Sequence, residues 1–78
     1  MDLLKNYVNN VPMSKPDRTA CRKFLRNLPL ETAAVLDELA IMNGNGFQPT
    51  ATTFGQLRQV YGEDAVKQAT ELLDMKAE

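Results

Sequence analysis

The chain has 78 residues, of which 44% are apolar and 24% charged, with a net charge of −1. A chain this short can fill one hydrophobic core, so we predict a single small domain over residues 1–78. Its apolar content and nearly balanced charge exclude disorder throughout, and its single cysteine, Cys21, excludes an internal disulfide framework.

The expected location of the protein follows from signals that the sequence lacks. The segment MDLLKNYVNN does not have the basic region and apolar run of a secretory signal peptide. Apolar runs elsewhere fall far short of the ~20 residues of a transmembrane helix. Small secreted domains usually depend on disulfides, which this chain cannot form internally. We therefore expect a cytoplasmic protein with no membrane partner.

Helical spacing of apolar residues begins at the amino terminus. A first helix is predicted from Asp2 to Asn9 and ends before Pro12, because the residue before a proline avoids helical geometry. A second helix follows Ser14, whose hydroxyl is suited to cap it, with Pro16 in the first turn. Its apolar face is predicted to comprise Ala20, Cys21, Phe24, Leu25 and Leu28.

The remaining chain predicts two or three further helices. The third, Leu30 to Asn43, is apolar over much of its circumference and is the predicted central element. After the Gly44-Asn45-Gly46 stop, Thr53 and Gln56 have the spacing of a capping box, so a short helix is predicted from Phe54 to Tyr61. It is expected to bury Phe54, Leu57 and Val60, with Tyr61 as a further candidate. The last helix is predicted from about Asp64 to Lys76. The predicted fold class is all-α, a compact bundle of four to five short helices.

Charge is distributed unevenly between the two parts of the chain. Residues 1–28 hold six basic and two acidic residues, a net charge of +4. Residues 29–78 hold three basic and eight acidic residues, a net charge of −5. The nearly neutral total therefore hides a basic amino-terminal part and an acidic carboxy-terminal part.

The basic residues of the second helix form the candidate binding site. Lys15, Arg18, Arg22 and Arg26 are spaced by three, four and four residues, which places them on one helix face, and Lys23 flanks them. We name these five residues the basic stripe and predict that they bind a partner through charge-assisted hydrogen bonds to carboxylates or phosphates. The alternative is that the basic stripe is only the solvated face of an amphipathic helix.

Catalysis is disfavoured by the residues present. The chain has no histidine, the commonest general base and metal ligand. Cys21 lies on the predicted apolar face, which favours a buried structural role over a nucleophilic one despite its basic neighbours. Adjacent carboxylates such as Glu63 and Asp64 diverge on a helix, and Gly44-Asn45-Gly46 is too short for a phosphate-binding loop. We expect no enzymatic activity, no cofactor and no metal.

A DNA-reading helix-turn-helix is also disfavoured. The segment from Phe54 to Leu73 has a glycine, Gly62, where such a motif turns. The exposed positions of its second helix would be mostly acidic, however, and would repel DNA. A pI near 5.3 is likewise unlike that of strongly basic nucleic-acid-binding domains.

The sequence therefore predicts a non-catalytic protein-interaction module that docks on an acidic macromolecular surface through a basic helix. Such a module would be a small adaptor, regulator or inhibitor, of a size and composition common among accessory proteins of phages and plasmids. One alternative is a nucleic-acid-binding regulator that acts as a dimer, and another is a structural subunit of a larger assembly. A homodimer would bury surplus apolar residues such as Ile41 and Met42, whereas Phe47 is expected to tuck under the domain.

Overall fold

A computed structural model describes residues 2–75, and within that range it contains five helices and no strand. The helices are α1 (Asp2–Val8), α2 (Lys15–Arg26), α3 (Leu30–Gly44), α4 (Ala51–Tyr61) and α5 (Glu63–Leu72). The predicted all-α class is confirmed. The predicted end of the last helix, Lys76, lies outside the described residues, and α5 ends at Leu72.

Helix α3 is the central element, as predicted, because it packs against each of the other four helices. Its buried residues are Thr32, Val35, Leu36 and Leu39. The rest of the buried cluster comes from all the surrounding helices and the residue after α5: Leu4, Val8, Leu25, Phe54, Leu57, Ala65, Val66, Ala69 and Leu73. All five helices therefore contribute side chains to one core, and packing in that core fixes the positions of the other four helices around α3.

Two polar contacts tie α3 to its neighbours. The Thr32 hydroxyl, which is fully buried, donates to Gln68 Oε1 of α5 at 2.7 Å. Asn43 Nδ2 donates to the Val8 carbonyl at the end of α1, also at 2.7 Å. Throughout the described part of the chain, every buried side-chain nitrogen or oxygen has a hydrogen-bond partner. The buried polar groups therefore help to fix the positions of the helices, and none of them incurs the free-energy cost of an unmade hydrogen bond.

Helix α4 begins three residues earlier than predicted, and its cap is different. Thr50 Oγ1 accepts from the Thr53 backbone N–H at 3.3 Å, and Thr53 Oγ1 accepts from the Thr50 N–H at 3.2 Å. This reciprocal pair is a capping box centred on Thr50, so the predicted cap at Thr53 was wrong. At the other end, Gly62 has a φ of 97°, a conformation that glycine adopts without steric cost, and it joins α4 directly to α5.

Thr50→Ala is expected to lower the free energy of unfolding by about 0.5–2 kcal/mol, because the first turn of α4 loses its side-chain acceptor. Thr52→Ala is the matched control, since Thr52 is exposed in the same turn and takes no part in the cap. Urea unfolding of both variants measures the difference. Equal stability of the two variants would show that the Thr50 cap contributes nothing.

Three large apolar side chains are strongly exposed, and for Val60 and Phe47 this differs from the prediction. Leu30 is 81% exposed, Val60 71% and Phe47 68%. Leu30 and Thr32 lie on different sides of α3. The side that packs against the other helices carries Thr32, so Thr32 is buried and Leu30 is exposed. Tyr61 packs against the core in place of Val60. Phe47 follows the turn that closes α3, in which its N–H donates to the Met42 carbonyl at 2.8 Å, and its ring extends into solvent.

Candidate functional site

The predicted start of α2 is confirmed, and it orients the basic stripe. Ser14 Oγ accepts from the Asp17 backbone N–H at 3.3 Å, and Pro16 lies in the first turn. The buried residues of this helix are Cys21 and Leu25, with Phe24 and Leu28 packed partly against the core. Ala20, which was predicted on the apolar face, is exposed. Helix α2 therefore docks by a narrow edge and leaves most of its circumference to solvent.

All five residues of the basic stripe are exposed: Lys15, Arg18, Arg22, Lys23 and Arg26. Among residues 3–75, a salt bridge joins Lys5 Nζ to Asp74 Oδ2 at 3.5 Å, but none within 4.0 Å involves the basic stripe. The five positive charges are therefore not held in salt bridges by the part of the chain that the structure describes. They are available to carboxylates or phosphates of another molecule.

Two adjoining grooves lie between α2 and α3, and the first is also bounded by the end of α1 and the connection from α1 to α2. The first has a volume of about 670 Å³ and is lined by Tyr7, Asn10, Val11, Pro12, Met13, Arg18, Asp37, Ala40 and Ile41. The second has a volume of about 510 Å³ and is lined by Tyr7, Arg22, Leu25, Arg26, Leu28, Leu30, Ala33 and Asp37. Tyr7 and Asp37 line both grooves, so the two meet at these residues. Together they form one elongated surface.

The lining residues also show how the two helices run. Arg18, near the start of α2, lines the same groove as Ile41, near the end of α3. Arg22 and Arg26, towards the end of α2, line the same groove as Leu30, at the start of α3. The two helices are therefore antiparallel along this surface. We name Arg18, Arg22 and Arg26 the arginine row, since they follow one wall of the grooves.

Lys15 and Lys23 differ from the arginine row in their position. Both are exposed, but neither lines one of the two grooves. Lys23 follows the buried Cys21 by two residues, a rotation of about 200° around the helix, so it points away from the core. The structure thus brings three of the five predicted residues together on a concave surface, while Lys15 and Lys23 are exposed outside both grooves.

The other wall of the grooves is apolar. On α3 it consists of Leu30, Ala33, Asp37, Ala40 and Ile41; together with Ala34, which lies on the same side of the helix, we name these residues the outer face of α3. Ile41 is 59% exposed and lies eleven residues after Leu30. Eleven residues make about three turns, so these two side chains project in nearly the same direction. Asp37 is the charged member of this face, midway between them.

Cys21 takes the buried position that the sequence predicts. Its side chain is fully buried, and Sγ donates to the Leu3 carbonyl at 3.5 Å. Burial raises the pKa of the Cys21 thiol, and the negative charge of Asp17 raises it further. The basic neighbours on α2 do not offset these effects. The thiol therefore stays protonated at neutral pH and packs as a small apolar group.

Within residues 3–75, no group of three or more cysteine, aspartate or glutamate side chains is arranged to hold a metal ion. No helix in the described range is both long and apolar enough to cross a bilayer. Comparison of the chain with models of protein families, with curated proteins and with solved structures finds no match. The surface between α2 and α3 is therefore the candidate functional site.

Proposed function

We propose that this chain is a non-catalytic protein-interaction module, an adaptor, regulator or inhibitor, that docks on an acidic protein surface in the cytoplasm. The observation that carries the proposal is the arginine row, which is exposed, forms no salt bridge with the described residues, and lines two adjoining grooves. Each guanidinium offers a planar fork of donors that fits a carboxylate. Because three guanidinium groups follow one wall of the grooves, we expect a partner with several acidic side chains.

The outer face of α3 favours a protein over a nucleic acid as that partner. Protein interfaces combine apolar side chains at the centre with arginine, and this is the combination that Leu30, Ile41 and the arginine row provide. A phosphate backbone offers nothing to cover the two aliphatic side chains. The net charge of −1 and the exposed Glu63, Asp64 and Glu71 of α5 also oppose approach of a polyanion.

Binding of nucleic acid through the basic stripe is the second candidate. It is supported by the regular spacing of Lys15, Arg18, Arg22 and Arg26 along one exposed face, which matches a row of phosphates as well as a row of carboxylates. The two candidates differ in their response to nuclease, because only one of them has a partner that nuclease destroys.

Capture from a lysate of the organism or host in which the chain occurs separates these candidates. The immobilised chain is expected to retain a protein whose yield is unchanged by nuclease and falls as salt rises, because exposed ion pairs are screened. An unrelated helical domain of the same net charge serves as the control. Capture that disappears with nuclease would support the nucleic-acid candidate, and retention of nothing beyond the control would contradict the proposed function.

A further inference from the structure

Helix α3 carries apolar residues on its outer face as well as on its buried face. Its inner residues Val35, Leu36 and Leu39 are buried, while Leu30 and Ile41 on the outer face are exposed. Single exposed apolar side chains are ordinary on protein surfaces. These two are different because they align on one helix face. The residues between them on that face are three partly buried alanines, Ala33, Ala34 and Ala40, and the exposed Asp37.

The dimensions of this surface fit a short helix. From Leu30 to Ile41 the outer face of α3 extends about 16 Å, at 1.5 Å per residue. The arginine row, from Arg18 to Arg26, extends about 12 Å by the same measure. Since the two rows run antiparallel beside the same grooves, they bound a single surface about three turns long, apolar on one side and cationic on the other.

We infer that the occupant of this surface is an acidic amphipathic helix of the partner protein. The inference rests on the proposed function and adds the structural class of the segment that binds. Shape and charge complementarity favour it: apolar side chains spaced by three or four residues over about three turns cover Leu30 and Ile41, and the carboxylates beside them meet the arginine row. Asp37, where the two grooves join, disfavours an acidic residue at the middle turn and so helps to set the register.

A second copy of this chain fits the surface less well. A two-fold pair of antiparallel α3 helices would bring the two arginine rows against each other, which like charges oppose. The acidic face of α5 would match the arginines, but its exposed residues are Glu63, Asp64, Lys67, Gln68 and Glu71. None of these is apolar, so α5 cannot cover Leu30 and Ile41.

Site-specific photocrosslinking tests the identity of the occupant. Benzoylphenylalanine replaces Ile41 in one variant and Val60 in the control, since Val60 is an exposed apolar residue of α4, outside both grooves. After irradiation in lysate, mass spectrometry identifies the attached segment. The expected adduct at position 41 is a segment of another protein with helical apolar spacing and several Asp or Glu residues, and position 60 yields none. An adduct with this chain itself, with nucleic acid or with a segment lacking that pattern, or equal yields at both positions, would overturn the inference.

Substitutions separate this inference from the proposed function. Ile41→Ser is expected to weaken partner binding about tenfold or more, whereas Val60→Ser leaves it within about twofold. If reversal of the arginine row removes the partner but Ile41→Ser does not, the arginines bind and the amphipathic-helix inference is wrong. If neither change weakens binding, the proposed function fails as well.

Discussion

Leu39→Ala is expected to lower the free energy of unfolding by about 2–5 kcal/mol, a large part of the stability of so small a domain. Leu39 is 1% exposed on the inner face of α3, the helix that contacts all the others. Truncation removes apolar contacts and leaves a cavity that short helices packed on several sides can close only partly. Urea unfolding followed by circular dichroism measures the loss.

Leu30→Ala is the matched control for this prediction. It makes the same chemical change in the same helix, but Leu30 is 81% exposed, so we expect a change within about 0.5 kcal/mol. Leucine and alanine differ little in helix propensity, so the comparison mainly reports the effect of burial. Similar losses for the two variants would contradict the assignment of Leu39 to the core and of Leu30 to the surface.

Reversal of the arginine row, Arg18→Glu with Arg22→Glu and Arg26→Glu, is expected to reduce partner binding at least about 100-fold while the domain stays folded. Each side chain is exposed, so the variant keeps the core. Repulsion among like charges on α2 is similar for three glutamates and three arginines. Towards an acidic partner, however, attraction becomes repulsion at three positions. Helical signal and melting midpoint report the fold, and the yield of captured partner reports binding.

A second triple reversal controls for net charge. Lys15→Glu with Lys23→Glu and Lys67→Glu changes the net charge by the same amount, but none of these lysines lines either groove between α2 and α3. We expect a loss of less than about tenfold, through the weaker long-range field. Equal losses from the two triple variants would mean that only overall charge matters. Unfolding of the arginine variant would make the arginines structural and the site wrong.

Local signals in the sequence were sufficient to predict α2 and its exposed charges. Ser14 and Pro16 mark the start of that helix by chemistry confined to one turn, and the three- and four-residue spacing of the basic residues is a direct consequence of helix geometry. The start of α4 was harder, because two overlapping frames compete. Thr50 with Thr53, and Thr53 with Gln56, both have the spacing of a capping box, and spacing alone does not choose between them.

Which face of a helix is buried could not be predicted where apolar residues surround it. Helix α3 has candidates on every side, and the structure buries Thr32 while it exposes Leu30 at 81%. That choice depends on where α5 supplies Gln68 to accept the Thr32 hydroxyl, a contact across 36 residues of chain. Val60 was placed on the wrong side of α4 for the same reason, since either it or Tyr61 was able to complete the apolar face.

Only one part of the candidate site was predictable from the sequence. The arginine row is a local pattern, so it was found, whereas the outer face of α3 was noted only as surplus apolar residues at Ile41 and Met42. The connection between them arises from the antiparallel packing of α2 on α3, which brings Arg18 to the groove of Ile41 and Arg26 to that of Leu30. No spacing within either helix specifies this tertiary arrangement.

Titration of the isotope-labelled chain with its captured partner, followed by nuclear magnetic resonance, tests most directly where binding occurs. We expect the side-chain Nε–Hε signals of Arg18, Arg22 and Arg26 to shift together with backbone signals of the outer face of α3. Signals of Glu63, Asp64 and Lys67 on α5 should stay in place, since that face is not part of the grooves between α2 and α3. Shifts confined to α4 or α5, with the arginine signals unmoved, would contradict the assignment of the arginine row and the outer face of α3 as the binding surface.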